Sequence, residues 1–393
     1  MTDISGVTNY TNGIDYSLTN AQIYRLPGST ILDGDFISVS YQSAEITGAG
    51  LLLTLSNNFE VEAGGKVDLV GKGYGPNLGI GAGKLFGGVG SGGGHGGSGG
   101  SGSGVPGGTT DGTVHQPTKL GSGGSTAGGS GGGAAKIQAG NLARIDGIIS
   151  MNGTKATNSQ MGGGAGGSFW LTAPTFIGAG SISANGGSGE LYLGGGGGGG
   201  RIAIYADTNL FAGDVVARGG AGWNYGGAGT IYLKGDSNTV AQVIIDNRGV
   251  AGTNTFLSVV GSYDLTVQGK AIVVASTLNI GNLTIRSNSW LMPLGTPQAL
   301  SVTVTRDALI EPNSGFMFNT KGYAGGVGPG TPSFNSLGQG GGGHGGQGGT
   351  GWGGFFGASS GSIPSPSTFG SGGGGGSTGG GAGGGAVSLT VSG

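Results

Sequence analysis

A glycine-rich run at residues 71–133 recurs at residues 321–385 with its landmarks in the same order. His95 lies in the first run and His344 in the second, and 249 residues separate them. The Lys-Gly-Tyr triplet that opens each run is displaced by the same 249 residues. The alternative interpretation is that the runs are flexible surface loops. Such loops keep a glycine-rich composition, but nothing requires them to keep individual residues at a fixed spacing. The two runs are therefore predicted to be specified structural elements.

A shorter period links the segments between the two runs. Ile149, Ile182 and Val215 begin similar strand-and-turn patterns at intervals of 33 residues. No segment keeps apolar residues at helical spacing over three turns, so helices are expected to be nearly absent. Repeats of about 20–50 residues without helices are typical of β-solenoids. The sequence thus predicts an all-β fold, a parallel β-solenoid with glycine-rich polyglycine II excursions packed on one side, since glycine lets backbones approach closely.

The predicted organisation has five parts, and its two ends are copies of one large repeat. These parts are β-solenoid coils at 1–70, a long glycine-rich excursion at 71–133, β-solenoid with short excursions at 134–320, a second long excursion at 321–385, and a final strand at 386–393.

Composition excludes several classes of protein. Glycine supplies 104 of 393 residues, but charged residues make up only 9% and the net charge is −2. Charge-driven disorder is therefore not expected, and no basic face is available for a nucleic acid. There is no cysteine, hence no disulfide. No apolar segment is long enough to span a membrane, and the amino end lacks the pattern of a signal peptide.

The motifs SGGSFWLTAP, GSISANGG, GGGGGGGRIAIYAD and GGAGTIYLKGDSNTVAQVIIDN follow one another at 167–247. Their order resembles repeat segments of very large glycine-rich bacterial surface proteins, over most of 50–393. The resemblance implies an extracellular, structural or adhesive role. The glycine runs alone are also similar to the polyglycine II domains of phage tail-fibre adhesins, whose variable loops bind the host receptor, although no tail-attachment segment is evident here.

Catalytic and metal-binding patterns are weak. The segment at 79–84 ends in Gly-Lys, but Leu85 follows where a phosphate-binding loop needs Ser or Thr. His95, His115 and His344 have no second histidine or cysteine nearby, so no metal site is predicted. His95 and His344 are instead predicted to hydrogen-bond to glycine backbone and fix the runs. No Ser/His/Asp arrangement is apparent, and neither a catalytic residue nor a cofactor is predicted.

Carboxylates leave an enzyme as the second alternative. β-Helix folds host polysaccharide-degrading enzymes, and a glycosidase needs two carboxylates at a defined separation with aromatic residues nearby. The sequence offers two such carboxylates, Asp207 and Asp214, and two aromatic residues near them, Trp223 and Tyr225. Asp236 and Asp246 occur in the same segment. In solenoids such residues mostly cap turns, and the chain is not expected to be an enzyme.

Aromatic residues near the ends of the glycine runs are the better functional candidates. Trp223 and Tyr225 lie in one short run, and Trp352, Phe355 and Phe356 lie in the second long run. Exposed aromatics on rigid loops suit contact with carbohydrates or other surfaces. The alternative is that they cover the end of a glycine bundle.

The function predicted is a structural and adhesive repeat module of an extracellular fibre or giant surface protein. Its partners would be copies of itself, stacked head to tail into a filament, or neighbouring repeats, and possible ligands are surface glycans. The first alternative is a receptor- or glycan-binding adhesin resembling phage tail fibres. The expected location is extracellular or at the cell surface, or alternatively in a virion.

Overall fold

A computed structural model describes residues 2–3, 16–19, 22–25, 37–38, 50–236, 240–333, 340–352, 355–375 and 379–393. Every regular element in these ranges is a β-strand. They contain no helix with the length and apolar character that crossing a bilayer requires. The chain forms two compact units, Met1–Val260 with Thr266–Ile272, and Gly261–Leu265 with Val273–Gly393.

The strands are short apart from two of eleven residues. In the first part of the chain they are β1 (Thr2–Asp3), β2 (Tyr16–Thr19), β3 (Gln22–Arg25), β4 (Ile37–Ser38), β5 (Leu51–Leu55), β6 (Phe59–Val61), β7 (Lys66–Asp68), β8 (Leu85–Phe86), β9 (Val89–Gly90), β10 (Ala134–Ala139), β11 (Leu142–Ile145), β12 (Ile148–Ser150), β13 (Ser168–Gly178) and β14 (Ser181–Ser183). They continue with β15 (Arg201–Phe211), β16 (Asp214–Val216), β17 (Thr230–Lys234), β18 (Ala241–Asp246), β19 (Asn254–Phe256), β20 (Tyr263–Gln268), β21 (Ile272–Ala275), β22 (Thr277–Ile280), β23 (Leu283–Ile285), β24 (Trp290–Pro293), β25 (Leu300–Val304), β26 (Ala308–Ile310), β27 (Gly315–Phe316) and β28 (Val387–Val391).

Two sheets enclose the core of the first unit. In one sheet β5, β10, β13, β15 and β17 pair in parallel, and in the other β7, β12, β14 and β16 do the same. Alternating side chains of both sheets point into one buried apolar cluster, in which Ile137, Phe169 and Ile202 join Ile149 and Ile182. Burial of these β-branched and aromatic side chains is what stabilises the layered strands.

The prediction of a parallel β-solenoid is wrong. The sheets are mixed, because β17 pairs with β18 in antiparallel orientation, as do β1 with β4, β2 with β3, and β8 with β9. The strands that the structure describes do not form a closed coil. Only six residues separate Lys234 from Ala241, whereas a parallel return needs a crossover of about a dozen or more residues. A short connection therefore reverses the chain where the solenoid pattern required it to continue.

The glycine runs of the first unit are closely packed against one another. We call residues 71–133, 153–167, 186–200 and 219–229 the glycine layer. Apart from β8 and β9, they contain no regular strand. Their peptide groups bond to one another across the sequence, as when the Gly97 amide donates to the Gly199 carbonyl at 2.8 Å. Backbone contacts here replace side-chain packing, and among the described residues no solenoid carries these runs as excursions.

The second unit repeats part of this arrangement. Within it, β25 pairs in parallel with both β22 and β28. The register of Leu300 opposite Val387 matches that of Leu51 opposite Ala135 between β5 and β10 in the first unit. The long glycine run at 321–385 thus leads into a strand just as 71–133 does.

Candidate functional site

A chain of hydrogen bonds crosses the glycine layer around His95. Nδ1 of His95 donates to Oδ1 of Asp111 at 2.5 Å, and Nε2 lies 2.8 Å from Oγ of Ser168. The Ser168 hydroxyl also lies 2.6 Å from the carbonyl oxygen of Lys119. His95 and Ser168 are fully buried, and the Asp111 side chain is 7% exposed. These contacts tie two turns of a glycine run to the first residue of β13.

Arg201 closes the same cluster from β15. Its Nε donates to the Asp111 carbonyl at 2.8 Å, and its Nη1 donates to Oγ1 of Thr230 at 3.2 Å. Ser168, Arg201 and Thr230 begin three adjacent strands and are directly paired in register. We call His95, Asp111, Ser168, Arg201 and Thr230 the His95 cluster. It fastens the glycine layer to the sheet at the point where three strands start.

The hydrogen bonds that run from Asp111 through His95 to Ser168 link the same residue types, in the same order, as a Ser-His-Asp catalytic triad. The surroundings differ from those of an active site, because the Ser168 hydroxyl is enclosed on all sides. A nucleophile must reach a substrate atom, and the folded layer leaves no path to Oγ. The arrangement therefore acts as a clamp. His95 was predicted to bind glycine backbone, yet its ring contacts two polar side chains.

Burial determines the charge state of the cluster. Removal from water lowers the pKa of His95, although the hydrogen bond and the charge of Asp111 oppose this shift. For Asp111, burial alone would raise the pKa, but the hydrogen bond from His95 and the nearby cations lower it overall. Burial lowers the pKa of Arg201 to about 10, which leaves the guanidinium protonated at neutral pH. At neutral pH the cluster thus holds a neutral imidazole beside a carboxylate.

Acidification should destabilise the first unit through this cluster. A histidine whose pKa is lower in the folded state binds its proton more readily when unfolded, so stability falls as the pH drops below about 6.5. The lowered pKa of Asp111 acts in the same direction at still lower pH. We expect the free energy of unfolding, measured by urea denaturation, to fall between pH 7 and pH 5, by at most about 1.4 kcal/mol per pH unit for one proton.

The variant His95→Gln should flatten that slope between pH 7 and pH 5, whereas His115→Gln should keep it. A His95→Gln protein with the wild-type slope would show that another group is responsible.

The second unit holds a counterpart of the cluster with different chemistry. The amide of Ser360 donates to the His344 carbonyl at 2.6 Å, as the amide of Asp111 does to His95 at 2.9 Å. Ser360 therefore occupies the position of Asp111. Nδ1 of His344 and Oγ of Ser360 are buried without a hydrogen-bond partner among the described residues. The described ranges also contain no cluster of three or more residues able to hold a metal.

Exposed aromatic side chains lie on two segments of the glycine layer that a backbone hydrogen bond joins. Trp223 is 52% exposed and Tyr192 is 80% exposed, with Leu191 and Tyr225 also at the surface. The backbone beneath them is fixed, since the Trp223 amide donates to the Gly194 carbonyl at 2.7 Å. We call Leu191, Tyr192, Trp223 and Tyr225 the aromatic tip. Sequence reasoning identified Trp223 and Tyr225 and missed the other two, which a hydrogen-bonded turn brings close to them.

The other aromatic candidates lie in the second unit. Trp352 is 82% exposed, Phe356 is exposed and Phe355 is half-buried. The carbonyl of Phe355 accepts a hydrogen bond from the Gly351 amide at 3.0 Å. The bond joins two residues on either side of Trp352, whose side chain is exposed to the solvent.

Two of the candidate carboxylates belong to an ion-pair group. Asp214 and Asp246 both contact the Arg248 guanidinium. These three residues border a cavity of about 270 Å³ whose wall also includes Phe176 and Ile204. Asp207 is exposed on β15. The structure thus brings Asp214 to an arginine and a second aspartate, and places Trp223 at the aromatic tip.

No family model, curated protein or solved structure matches this chain. Its function is therefore argued from the geometry of its own residues.

Proposed function

We propose that the protein is a structural and adhesive repeat module of an extracellular fibre or large surface protein, with the aromatic tip as its contact surface. The observation that supports this proposal is the display of Tyr192 and Trp223 on hydrogen-bonded backbone. Aromatic side chains have only two side-chain torsions, so on an ordered backbone they lose little conformational entropy on binding. Their flat apolar faces suit the apolar faces of sugar rings.

The repeat supports the structural half of the proposal. A long glycine run followed by a strand occurs once in each unit with the same strand register. Modules of this kind gain stability by stacking on neighbours through strand edges and shared backbone contacts. In the alternative function, an adhesin resembling phage tail fibres, the same aromatic tip would bind a host receptor. The identity of the ligand distinguishes this adhesin from the structural and adhesive module.

Trp223→Ala should weaken binding to a carbohydrate array by roughly 30-fold, since a central aromatic anchor contributes about 2 kcal/mol. The control is Phe256→Ala, which removes a partly exposed ring from β19, outside the tip. Binding that both variants weaken equally would reflect general apolar adsorption. Absence of any glycan signal, with the fold intact by circular dichroism, would remove the adhesive half of the proposal.

A further inference from the structure

A cavity lies where the two sheets of the first unit end unevenly. Core-facing side chains form a row in the first sheet, in which Ile204 of β15 is followed by Leu233 of β17. The facing row of the second sheet ends at Val215 of β16, the last strand of that sheet among the described residues. The chain reverses after β17 instead of adding a strand beside β16. A gap of about 270 Å³ therefore remains between Val215, Leu233 and Ile244.

The inner wall of this cavity is apolar. It includes Phe176, Ile204, Phe211, Val215, Leu233 and Ile244. Phe176 and Ile204 are at most 1% exposed, and the rings of Phe176 and Phe211 stack with their centroids 4.5 Å apart. An apolar cavity of about 150 Å³ stays dry and binds benzene. The larger cavity here has room for one aromatic ring with a short extension, and not for a long alkyl chain.

Charged side chains line the opening of the cavity. Asp214 and Arg248 lie there, with 57% and 42% of their side chains exposed. The Arg248 guanidinium contacts Oδ1 of Asp214, and its Nε lies 3.4 Å from Oδ2 of Asp246. Among the described residues, the charged ones that line the cavity are these three, two carboxylates and one guanidinium. The opening thus carries one excess negative charge.

Contacts within the protein hold Arg248 and Asp246 in place. The Arg248 amide donates to Oδ1 of Asp246 at 2.7 Å, and Nε2 of Gln268 donates to Oδ2 of Asp246 at 2.9 Å. Nη2 of Arg248 lies 3.3 Å from the Val215 carbonyl oxygen. That carbonyl is on the outer edge of β16, so the guanidinium takes the place of a neighbouring strand. Oδ2 of Asp214, by contrast, accepts no hydrogen bond within the described ranges.

We propose that this cavity binds a small apolar amine, with its apolar body against Phe176 and Phe211 and its ammonium group beside Oδ2 of Asp214. An apolar pocket with a few polar groups at one end is the usual form of a small-molecule site. The excess negative charge at the opening favours a cation over an anion. This site lies outside the aromatic tip, so the inference goes beyond the proposed function and does not depend on it.

The distribution of polarity determines which end of the ligand enters first. The buried wall is apolar and the charges lie at the opening, so the apolar end must enter and the amine must stay outside. A lysine side chain of another protein would enter with its ammonium group first, and an unpaired charge against an apolar wall is strongly disfavoured. The ligand is therefore a free small molecule and not a protein side chain.

The probe is para-fluorobenzylamine, added to the full-length protein and followed by fluorine NMR. Two compounds with the same ring and methylene group serve as controls: para-fluorobenzyl alcohol is neutral, and para-fluorophenylacetate is an anion. We expect saturable binding of the amine, about fivefold tighter than that of the alcohol, since an exposed charge pair contributes up to about that factor. The anion should bind more weakly than the alcohol.

Asp214→Asn should remove the preference for the amine, so that amine and alcohol bind equally, and should leave the affinity for the alcohol unchanged. More than half of the Asp214 side chain is exposed, so this substitution should not disturb the core. The matched control is Asp207→Asn, which neutralises an exposed aspartate of β15 that does not line the cavity. Leu233→Trp fills the cavity and should abolish saturable binding of all three compounds.

Absence of saturable amine binding would overturn the assignment of an amine to this cavity, as would equal affinities for the amine and the anion. A preference for the amine that persists in Asp214→Asn would also overturn it, as would binding that a folded Leu233→Trp variant leaves unchanged. If circular dichroism shows that Leu233→Trp does not fold, the comparison of Asp214→Asn with Asp207→Asn still decides. The carbohydrate array reports on the aromatic tip, so the two proposals fail separately.

Discussion

Gly132→Ala should destabilise the first unit by about 3 kcal/mol or more, whereas Gly384→Ala should change the stability of the second unit by no more than about 0.5 kcal/mol. The two glycines hold the same position in the two copies of the glycine run. A Cβ on Gly132 would lie 1.8 Å from the Met151 carbonyl oxygen, and one on Gly384 meets nothing within 4 Å. Backbone on both sides of Gly132 is hydrogen-bonded and cannot move apart without breaking those bonds.

The measurement is hydrogen exchange under increasing denaturant, which reports each unit separately. Protection should fall in β10 and β13 of Gly132→Ala and stay unchanged in β25 and β28 of Gly384→Ala. A small increase in the stability of the second unit is also compatible with Gly384→Ala, because alanine lowers the conformational entropy of the unfolded chain. Equal effects of the two substitutions would mean that the glycine layer is not closely packed.

The sequence predicted the strands that follow the glycine runs, because each is a short run rich in β-branched residues after glycine. The structure has strands at Ala134–Ala139, Thr230–Lys234 and Val387–Val391. Parallel pairing between neighbouring repeats also follows from their equal spacing, as in β13 and β15. The absence of helices among the described residues agrees with the missing helical periodicity.

The reversal between β17 and β18 was not predicted, because both segments match the strand pattern equally well in either direction. Only the length of the connection decides the direction, and six residues allow no crossover. Periodicity in a sequence indicates that units recur. It does not indicate that the chain always proceeds in the same sense.

The His95 cluster escaped prediction because its members are far apart in sequence. His95 lies 73 residues from Ser168 and 106 residues from Arg201. The glycine-rich sequence between them does not indicate which backbone carbonyls each glycine contacts. One signal was present. A polar residue stands at the first position of three successive strands, Ser168, Arg201 and Thr230, where a buried strand would otherwise start with an apolar side chain.

Asp111→Ala should cost the first unit about 1–3 kcal/mol, the usual effect of leaving a buried hydrogen-bond donor without its acceptor. The substitution leaves Nδ1 of His95 without an acceptor and removes the carboxylate closest to buried Arg201. The matched control is Ser360→Ala at the equivalent position of the second unit. Because the Ser360 hydroxyl has no hydrogen-bond partner among the described residues, its loss should change stability by no more than about 0.5 kcal/mol.

A double-mutant cycle distinguishes a direct interaction between His95 and Asp111 from independent contributions of the two buried residues. If His95 and Asp111 act on each other directly, Asp111→Ala should cost much less in a His95→Ala background, with a coupling of about 1–3 kcal/mol. Additive losses would mean that each residue stabilises the layer independently. Since Ser168 connects the pair to β13, a measured coupling would also place the energetic link between the glycine layer and the sheet at this one cluster.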